Sequence, residues 1–401
     1  MFLRRLIPGP ILRLIEGYWL VPMLLAATGA GLAVGVQMLE TSVLPALTPL
    51  DPDGARAALS VVAGGVLTIA SLVFSLTFVA LSITTQQLSP RILDYVLQER
   101  ATQLLLGVAF GTFIFAAATL ASSEETRLVW SVYVALVLAG LTLFTVLIFS
   151  HRMTLVMRAE DMVSRLGNLY TAAIRRDLAL RAPFVKDQAA ATAELTEALA
   201  AADPVAAQST GYLGAIDHGR LVAFAERNGL LIELTLSENA FVLDGQQVAR
   251  VAGLHGTTDA VAREITAALN LIDRRTVGQT ARYEADALAE AALRALSPGI
   301  NDPATARSCT NRLVQGLCLI ASSEPPPRAM AGDDGHPRVL RAPYGLPEIV
   351  ETCLMPVAEE ARDPVTKSHL RALGTEALAR ATRPAEIDAL KAFIAATEPT
   401  S

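Results

Sequence analysis

SLVFSLTFVALSITTQQLSP, residues Ser71 to Pro90, decides the architecture. It lies inside an apolar run long enough to cross a bilayer, for which about 20 helical residues suffice. Yet the stretch carries Ser71, Ser75, Thr77, Ser82, Thr84 and Thr85. At 100° per residue, Thr68, Ser71, Ser75, Ser82 and Gln86 fall within an arc of roughly 60°, with Val79 the one apolar member of that row. Thr77 and Thr84 fall on the opposite side. Two readings follow. Ser and Thr can bond back to their own helix carbonyls and pack small against neighbouring helices. Alternatively, the row lines a water-filled path. Its lack of charge favours packing, because ionisable residues usually mark transport paths; its length across the membrane favours a path.

Around this stretch the chain divides by composition. Of its 401 residues, 52% are apolar and 18% charged, and the long apolar runs crowd into the first 150 residues. Four windows qualify as membrane spans, at about 18–39, 60–84, 104–121 and 128–149. Arg4, Arg5, Arg13, Arg91, Arg100, Arg152, Arg158 and Arg165 flank one side of these spans, against Arg56 and Arg127 on the other. By the positive-inside rule both termini face the cytoplasm, which predicts a multi-pass membrane protein. Gly31/Gly35 and Gly107/Gly111 form small-xxx-small pairs that let helices approach closely in lipid. Pro90 opens a short amphipathic helix predicted over residues 91–103.

The remaining residues have the charge and punctuation of a water-exposed domain. Residues 151–204 are expected as a helical extension and linker. Residues 205–256 read as a small α+β module, with Asp217 as N-cap, Gly229 closing that helix, and Asp244-Gly245 as a hairpin turn. Residues 257–401 read as helical, with a surface loop at 322–347 and a final helical pair. The expected fold is therefore mainly α: a four-helix transmembrane bundle with a cytoplasmic α+β domain.

One joint interrupts the helices of the C-terminal half. In Ser297-Pro298-Gly299-Ile300-Asn301-Asp302-Pro303, Pro298 and Gly299 stop one helix, Asn301 or Asp302 caps the next, and Pro303 takes its first turn. The alternative, an anion held by Ser297, Asn301 and the free N–H groups of the second helix, is opposed by the carboxylate already in the cap.

No motif argues for an enzyme. His151, His218, His255, His336 and His369 are scattered, with no metal-ligand spacing. No phosphate-binding loop or nucleophile elbow is present. Glu284, Asp286 and Glu290 are expected on a solvated helix face. Neither a cofactor nor a metal is expected, and a net charge of −6 without a basic stripe argues against nucleic acid. Cys309, Cys318 and Cys353 have no pairing pattern, so reduced thiols are expected.

SLVFSLTFVALSITTQQLSPRIL, LGVAFGTFIF, GYLGAIDHGRLVAFAERNGLLIEL and above all ALRALSPGINDPATA resemble the bacterial predicted-membrane-protein family catalogued as domain of unknown function 2254. The resemblance covers nearly the whole chain. It implies four spans and a cytoplasmic domain, and brings no activity with it. Where that family tends to carry two adjacent histidines after span four, this chain has His151-Arg152, so no role for a histidine pair carries over. Two functions remain in view. One is an oligomeric channel or pore-like protein, its path lined by span two and its partners the lipid bilayer and further copies of itself. The other is a non-conducting sensor or scaffold whose cytoplasmic half binds a ligand, of unknown identity, or a partner protein.

Overall fold

The structure, a computed structural model, describes residues 20–40, 51–87, 100–122, 129–156, 158–179, 185, 187–214, 216–237, 239–254, 258–273, 280–324, 328–342 and 345–398. The helix expected over 91–103 lies largely outside them. The described residues divide into two compact units, one ending at Arg158 and the other beginning at Ala159.

The N-terminal unit is built from four helices: α1 (Leu20–Glu40), α2 (Pro52–Gln87), α3 (Arg100–Ser122) and α4 (Val129–Val156). Each contains a stretch long and apolar enough to span a membrane, at Leu20–Leu39, Pro52–Val79, Arg100–Ala121 and Trp130–Met153. Two kinds of contact hold them. Between α1 and α3 the backbones nearly touch. A Cβ on Gly29 would lie 2.1 Å from the Gly111 carbonyl oxygen, and one on Gly111 would lie 2.7 Å from that of Leu25. By contrast, α2 meets its neighbours through larger side chains. Leu59 clusters with Phe115 and Val132, Val66 with Ala109, and Val73 with Leu105 and Phe149. Inside the bundle the Thr112 and Thr142 hydroxyls lie 3.2 Å apart, linking α3 to α4.

In the C-terminal unit, α5 (Ala159–Leu178) packs on α9 (Ala281–Leu296) and α10 (Pro303–Ala321). Gly316 lets α10 approach the ring of Tyr170, where a Cβ would fall 2.0 Å from Cε1. A short helix α6 (Gln188–Ala198) leads into the sheets. The larger has the order β1-β5-β3-β8-β7 and the smaller β4-β2-β6. Their strands are β1 (Asp203–Ala206), β2 (Gly211–Leu213), β3 (Leu231–Leu234), β4 (Phe241–Val242), β5 (Gln247–Ala252), β6 (Leu271–Ile272), β7 (Ala329–Ala331) and β8 (Pro337–Leu340). Helices α7 (His218–Asn228) and α8 (Thr258–Leu269) bury Leu221, Ala225, Ile265 and Leu269 on a core shared with Ile232, Val248 and Val251. The chain ends in α11 (Leu346–Ile349), a π-helical turn (Val350–Leu354), α12 (Met355–Glu360), α13 (Pro364–Leu378) and α14 (Pro384–Ala396).

Three local expectations differ from this fold. Residues 322–347 are not simply a surface loop: β7 and β8 pair antiparallel, and β8 joins β3 in parallel through Ile232–Val339 and Glu233–Leu340. Met330 and Val339 are buried there, a long-range pairing that the Pro- and Gly-rich flanks conceal. The α+β module therefore extends beyond residues 205–256 at both ends. Nor does Asp244-Gly245 close a hairpin between paired strands. Gly245 takes the left-handed φ of 78° that a tight turn needs, but β4 pairs with β2 whereas β5 pairs with β1 and β3. The turn moves the chain from one sheet to the other.

Candidate functional site

Thr68, Ser71, Ser75 and Ser82 are all exposed on the N-terminal unit. The opposite stripe of α2 (Ala55, Leu59, Ala63, Val66, Ala70 and Val73) is buried against the other helices. Thr68 bonds back to the Gly64 carbonyl at 2.8 Å. The hydroxyls of Ser71 and Ser75 meet no hydrogen-bond partner among the described residues. The side chain of Gln86 lies outside the described ones. Thr77, on the other side of the wheel, is half-buried and bonded to the Val73 carbonyl at 2.8 Å. The hydroxyl row is thus not packing material within one protomer.

The glycine pairs separate in the same way. Gly107 and Gly111 sit against Leu25, but Gly31 and Gly35 have nothing within 4 Å of an added Cβ. Gly29 is the glycine of α1 that makes the close approach, because its face of the helix, not that of Gly31, is turned to α3.

In the Ser297–Pro303 joint, Asp302 is the N-cap of α10 and Pro303 follows at its start. Asp302 Oδ1 accepts from the Thr305 N–H at 3.1 Å, and Oδ2 accepts from its hydroxyl at 2.5 Å. Burial opposes ionisation of Asp302, but these bonds outweigh it and hold the carboxyl below the usual aspartate range. Ser297 is the C-cap of α9. Asn301, not Gly299, takes the left-handed conformation, with φ 50°. Pro298 and Gly299 lie in the turn between the two helices.

The densest chemistry lies elsewhere in the C-terminal unit, around a cavity of about 60 Å³, room for a few waters or one compact ligand. Its polar lining comes from Asp177, His218, Ser237, Arg282, Arg341 and Glu348, and its apolar lining includes Ile216, Leu234, Leu236 and Ile349. Each group is set in place by its local structure. Asp217 caps α7 by accepting from the Arg220 N–H at 3.0 Å, which fixes His218 in the first turn. Thr280 caps α9, and one turn of that helix brings Arg282 Nε to 2.9 Å from Asp286 Oδ1. Arg282 Nη1 also lies 2.7 Å from Glu348 Oε1. Asn239, at a left-handed φ of 75°, donates to Asp286 Oδ2 at 3.0 Å.

The π-helical turn completes this network. Pro356 has no N–H to continue the helix, and the wider turn before it, closed by the Met355 N–H on the Val350 carbonyl, absorbs the mismatch. Cys353 in that turn points its thiol at Asp286 Oδ1, 3.6 Å away. Burial and the Asp286 charge push the thiol pKa up to about 12, so it is a poor nucleophile.

His218 differs from its neighbours. Both ring nitrogens are buried, and neither meets a hydrogen-bond partner among the described residues. Burial, with the charge of Arg341 adding to it, lowers its pKa to about 3. The ring is therefore neutral near pH 7, offering one donor and one acceptor. Arg282 stays charged: burial works against it, but Asp286 and Glu348 outweigh that penalty.

Reading the sequence for motifs missed this cavity. His218 figured only as one of five scattered histidines, and the Arg282/Asp286 spacing of four was legible but common. Glu284, expected on a solvated face, is fully buried, because α9 packs on both α5 and α10. Among the described residues, no three of His, Cys, Asp or Glu converge as a metal would need.

The model of the family described as predicted membrane protein (DUF2254) matches residues 16–373. Among curated relatives, Uncharacterized protein MT1328 of Mycobacterium tuberculosis (strain CDC 1551 / Oshkosh) is 25% identical over 362 residues, covering 84% of this chain and 66% of the relative. Uncharacterized protein Mb1321c of Mycobacterium bovis shows the same identity and coverage. The chain therefore spans just under two thirds of the length of the curated relatives it matches. No solved structure matches it. With the family match running over most of its length and four helices fit to span a bilayer, the chain belongs to the predicted membrane protein family DUF2254.

Proposed function

We propose that the protein is an oligomeric, pore-like membrane protein in which copies of α2 turn their hydroxyl rows toward a shared path. The observation that carries this reading is the exposure of Thr68, Ser71, Ser75 and Ser82 opposite a buried stripe. At about 1.5 Å per residue the row runs about 21 Å, most of a hydrocarbon core about 30 Å thick. An unpaired hydroxyl turned to hydrocarbon costs roughly 1–3 kcal/mol, so Ser71 and Ser75 favour water or a second copy over lipid. One protomer cannot enclose a wide path, and a symmetric ring follows. In this reading the protein is not an enzyme, it sits in a bacterial inner membrane, and both termini are cytoplasmic, as the arginine distribution supports.

Mass measurement in lipid nanodiscs should give a homo-oligomer, and Ser75→Cys should cross-link between copies. Reconstituted protein should pass current that Ser71→Val and Ser75→Val reduce. A monomer in nanodiscs, or no current under tension, voltage or pH change, would overturn the pore. The cavity beside His218 specifically favours the second reading, a non-conducting sensor.

Topology needs its own probe, because Cys309 and Cys353 are buried and would resist labelling on either side. Ser209 is exposed, and Ser209→Cys should resist a membrane-impermeant maleimide until the cells are lysed.

A further inference from the structure

Arg312, on α10, is held in place without a counter-charge. Its stem lies along α5 where Gly167 makes room, since a Cβ there would fall 2.5 Å from Arg312 Cδ. Arg312 Nη1 donates to the Gln315 side-chain oxygen at 3.1 Å, and Nη2 donates to the Ser164 hydroxyl oxygen at 3.0 Å. Both partners are neutral, and Arg312 forms no ion pair among the described residues. Together these three line an open groove of about 460 Å³ between α5 and α10, with Glu160, Ser308 and Asn311. Ser308, Asn311, Arg312 and Gln315 share one face of α10 by their spacing, and Glu160 and Ser164 sit one turn apart on α5.

Most of the donors in this lining are unspent. Ser164 and Gln315 use their oxygens on Arg312, which leaves the serine O–H and the amide N–H groups to donate. Asn311 Oδ1 lies 2.7 Å from His369 Nε2, so its N–H groups are left as well. The Ser308 hydroxyl meets no partner among the described residues. A guanidinium adds five N–H donors, and a carboxylate has only about four lone-pair sites to meet such a set. A phosphate group has more oxygens to offer and suits it better. Against these donors stands Glu160, exposed and without an ion pair among the described residues. Its charge repels a second anionic group and attracts an ammonium. A solvated helix face explains polarity, but not a guanidinium pinned by two neutral groups in the same groove as an unpaired carboxylate.

We propose that this groove binds a phosphoethanolamine-type zwitterion, its phosphate on Arg312 with the surrounding hydroxyl and amide donors, its ammonium on Glu160. Because α5 begins at Ala159, three residues after α4 ends at Val156, a lipid headgroup and a soluble ester are both candidate sources, and the test separates them. The site stands whether or not the spans conduct, so failure here and failure of the pore are read separately.

The test uses the full-length protein in dodecyl maltoside, a detergent without phosphate, and isothermal titration with glycerophosphoethanolamine. Glycerophosphoglycerol, which lacks the amine, ethanolamine, which lacks the phosphate, and inorganic phosphate serve as controls. The probe should bind saturably at one site per chain and at least about tenfold more tightly than each control, the difference one charge-assisted anchor makes. Arg312→Gln should weaken it at least about tenfold, and Glu160→Gln should erase its advantage over glycerophosphoglycerol. Arg220→Gln, whose guanidinium is paired with Glu264, should leave binding unchanged. If Arg312→Gln does not fold, Ser308→Glu places a carboxylate one turn from Arg312 on the same helix face. That variant occupies the guanidinium and should abolish binding with the protein still folded. Solubilised phosphatidylethanolamine that displaces the probe identifies a membrane lipid as the source; failure to displace it identifies a soluble ester, and the site stands in both cases. No saturable binding, equal binding of glycerophosphoglycerol, or binding that survives Arg312→Gln or Ser308→Glu would overturn the proposal.

Discussion

The two units handle polar groups by opposite means. In the helical N-terminal unit the groups between spans are neutral hydroxyls, most of them bonded to a carbonyl of their own helix, as with Thr112 on Val108 and Thr119 on Phe115. In the C-terminal unit they are charged and joined across long sequence distances: Arg282 reaches Glu348, Asn239 reaches Asp286, and Cys353 points back at the same carboxylate. The difference follows from solvent. In hydrocarbon a local bond to the helix backbone is always within reach and a charge is costly. In a water-exposed domain a partly buried charge is tolerated when distant elements supply its partner. Close helix approach in the first unit thus depends on glycine, and order around the cavity in the second depends on ion pairs.

The sharpest way to break the first half of this comparison is Gly111→Val. Its Cβ would sit 2.7 Å from a backbone carbonyl that cannot move aside. Overpacking there should cost about 3 kcal/mol in detergent unfolding, while Gly31→Val, facing open space, should change protomer stability little. Equal effects would mean that α1 packs on α3 through a different face.

Asp286→Ala probes the second half. It strips Arg282, Asn239 and Cys353 of a shared partner, and since Arg282 and Asp286 are about one fifth exposed, about 2 kcal/mol is expected. Chemical denaturation of the variant would check this; a loss under 0.5 kcal/mol would show that the network is not cooperative.

Acid titration sharpens the comparison further. The folded pKa of His218 is about 3 against an ordinary 6.5, so the unfolded chain takes up the proton first. Its contribution is fully present above pH 6.5 and drains away as pH falls toward 3, with a slope approaching 1.4 kcal/mol per pH unit. Stability curves of wild type and His218→Leu should differ by that slope between pH 6 and 4 and run parallel above pH 7.

The smallest effect belongs to the helix joint. Asp302→Ala should cost about 1 kcal/mol through the lost cap, and Asp302→Asn less than half of that. Because the folded pKa of Asp302 is lowered, its contribution persists at neutral pH and is lost only as pH falls below the ordinary aspartate range. An Asp302→Asn protein that folds but fails to assemble would give the joint a second role.

Much of this molecule could be read from local pattern. The four spans, the Asp217 and Asp302 caps, the left-handed Gly229 and the helical period of α5 and α7 are set by residues within a turn or two of one another, where sterics and hydrogen-bond stoichiometry leave few choices. The boundaries moved, as with α2 beginning at Pro52 rather than near residue 60, since a helix extends beyond its apolar run wherever nothing stops it. What the pattern could not reach was partnership. Which glycine of α1 touches α3, that β8 adds to β3 across 107 residues from Ile232 to Val339, that Asp244-Gly245 changes sheets, and that α9 buries Glu284 are long-range outcomes. The sequence by itself determined where helices form and which residues face one way on each. Only the tertiary structure decided which face is covered and which polar groups meet at His218, because those choices depend on contacts between segments that no local period encodes.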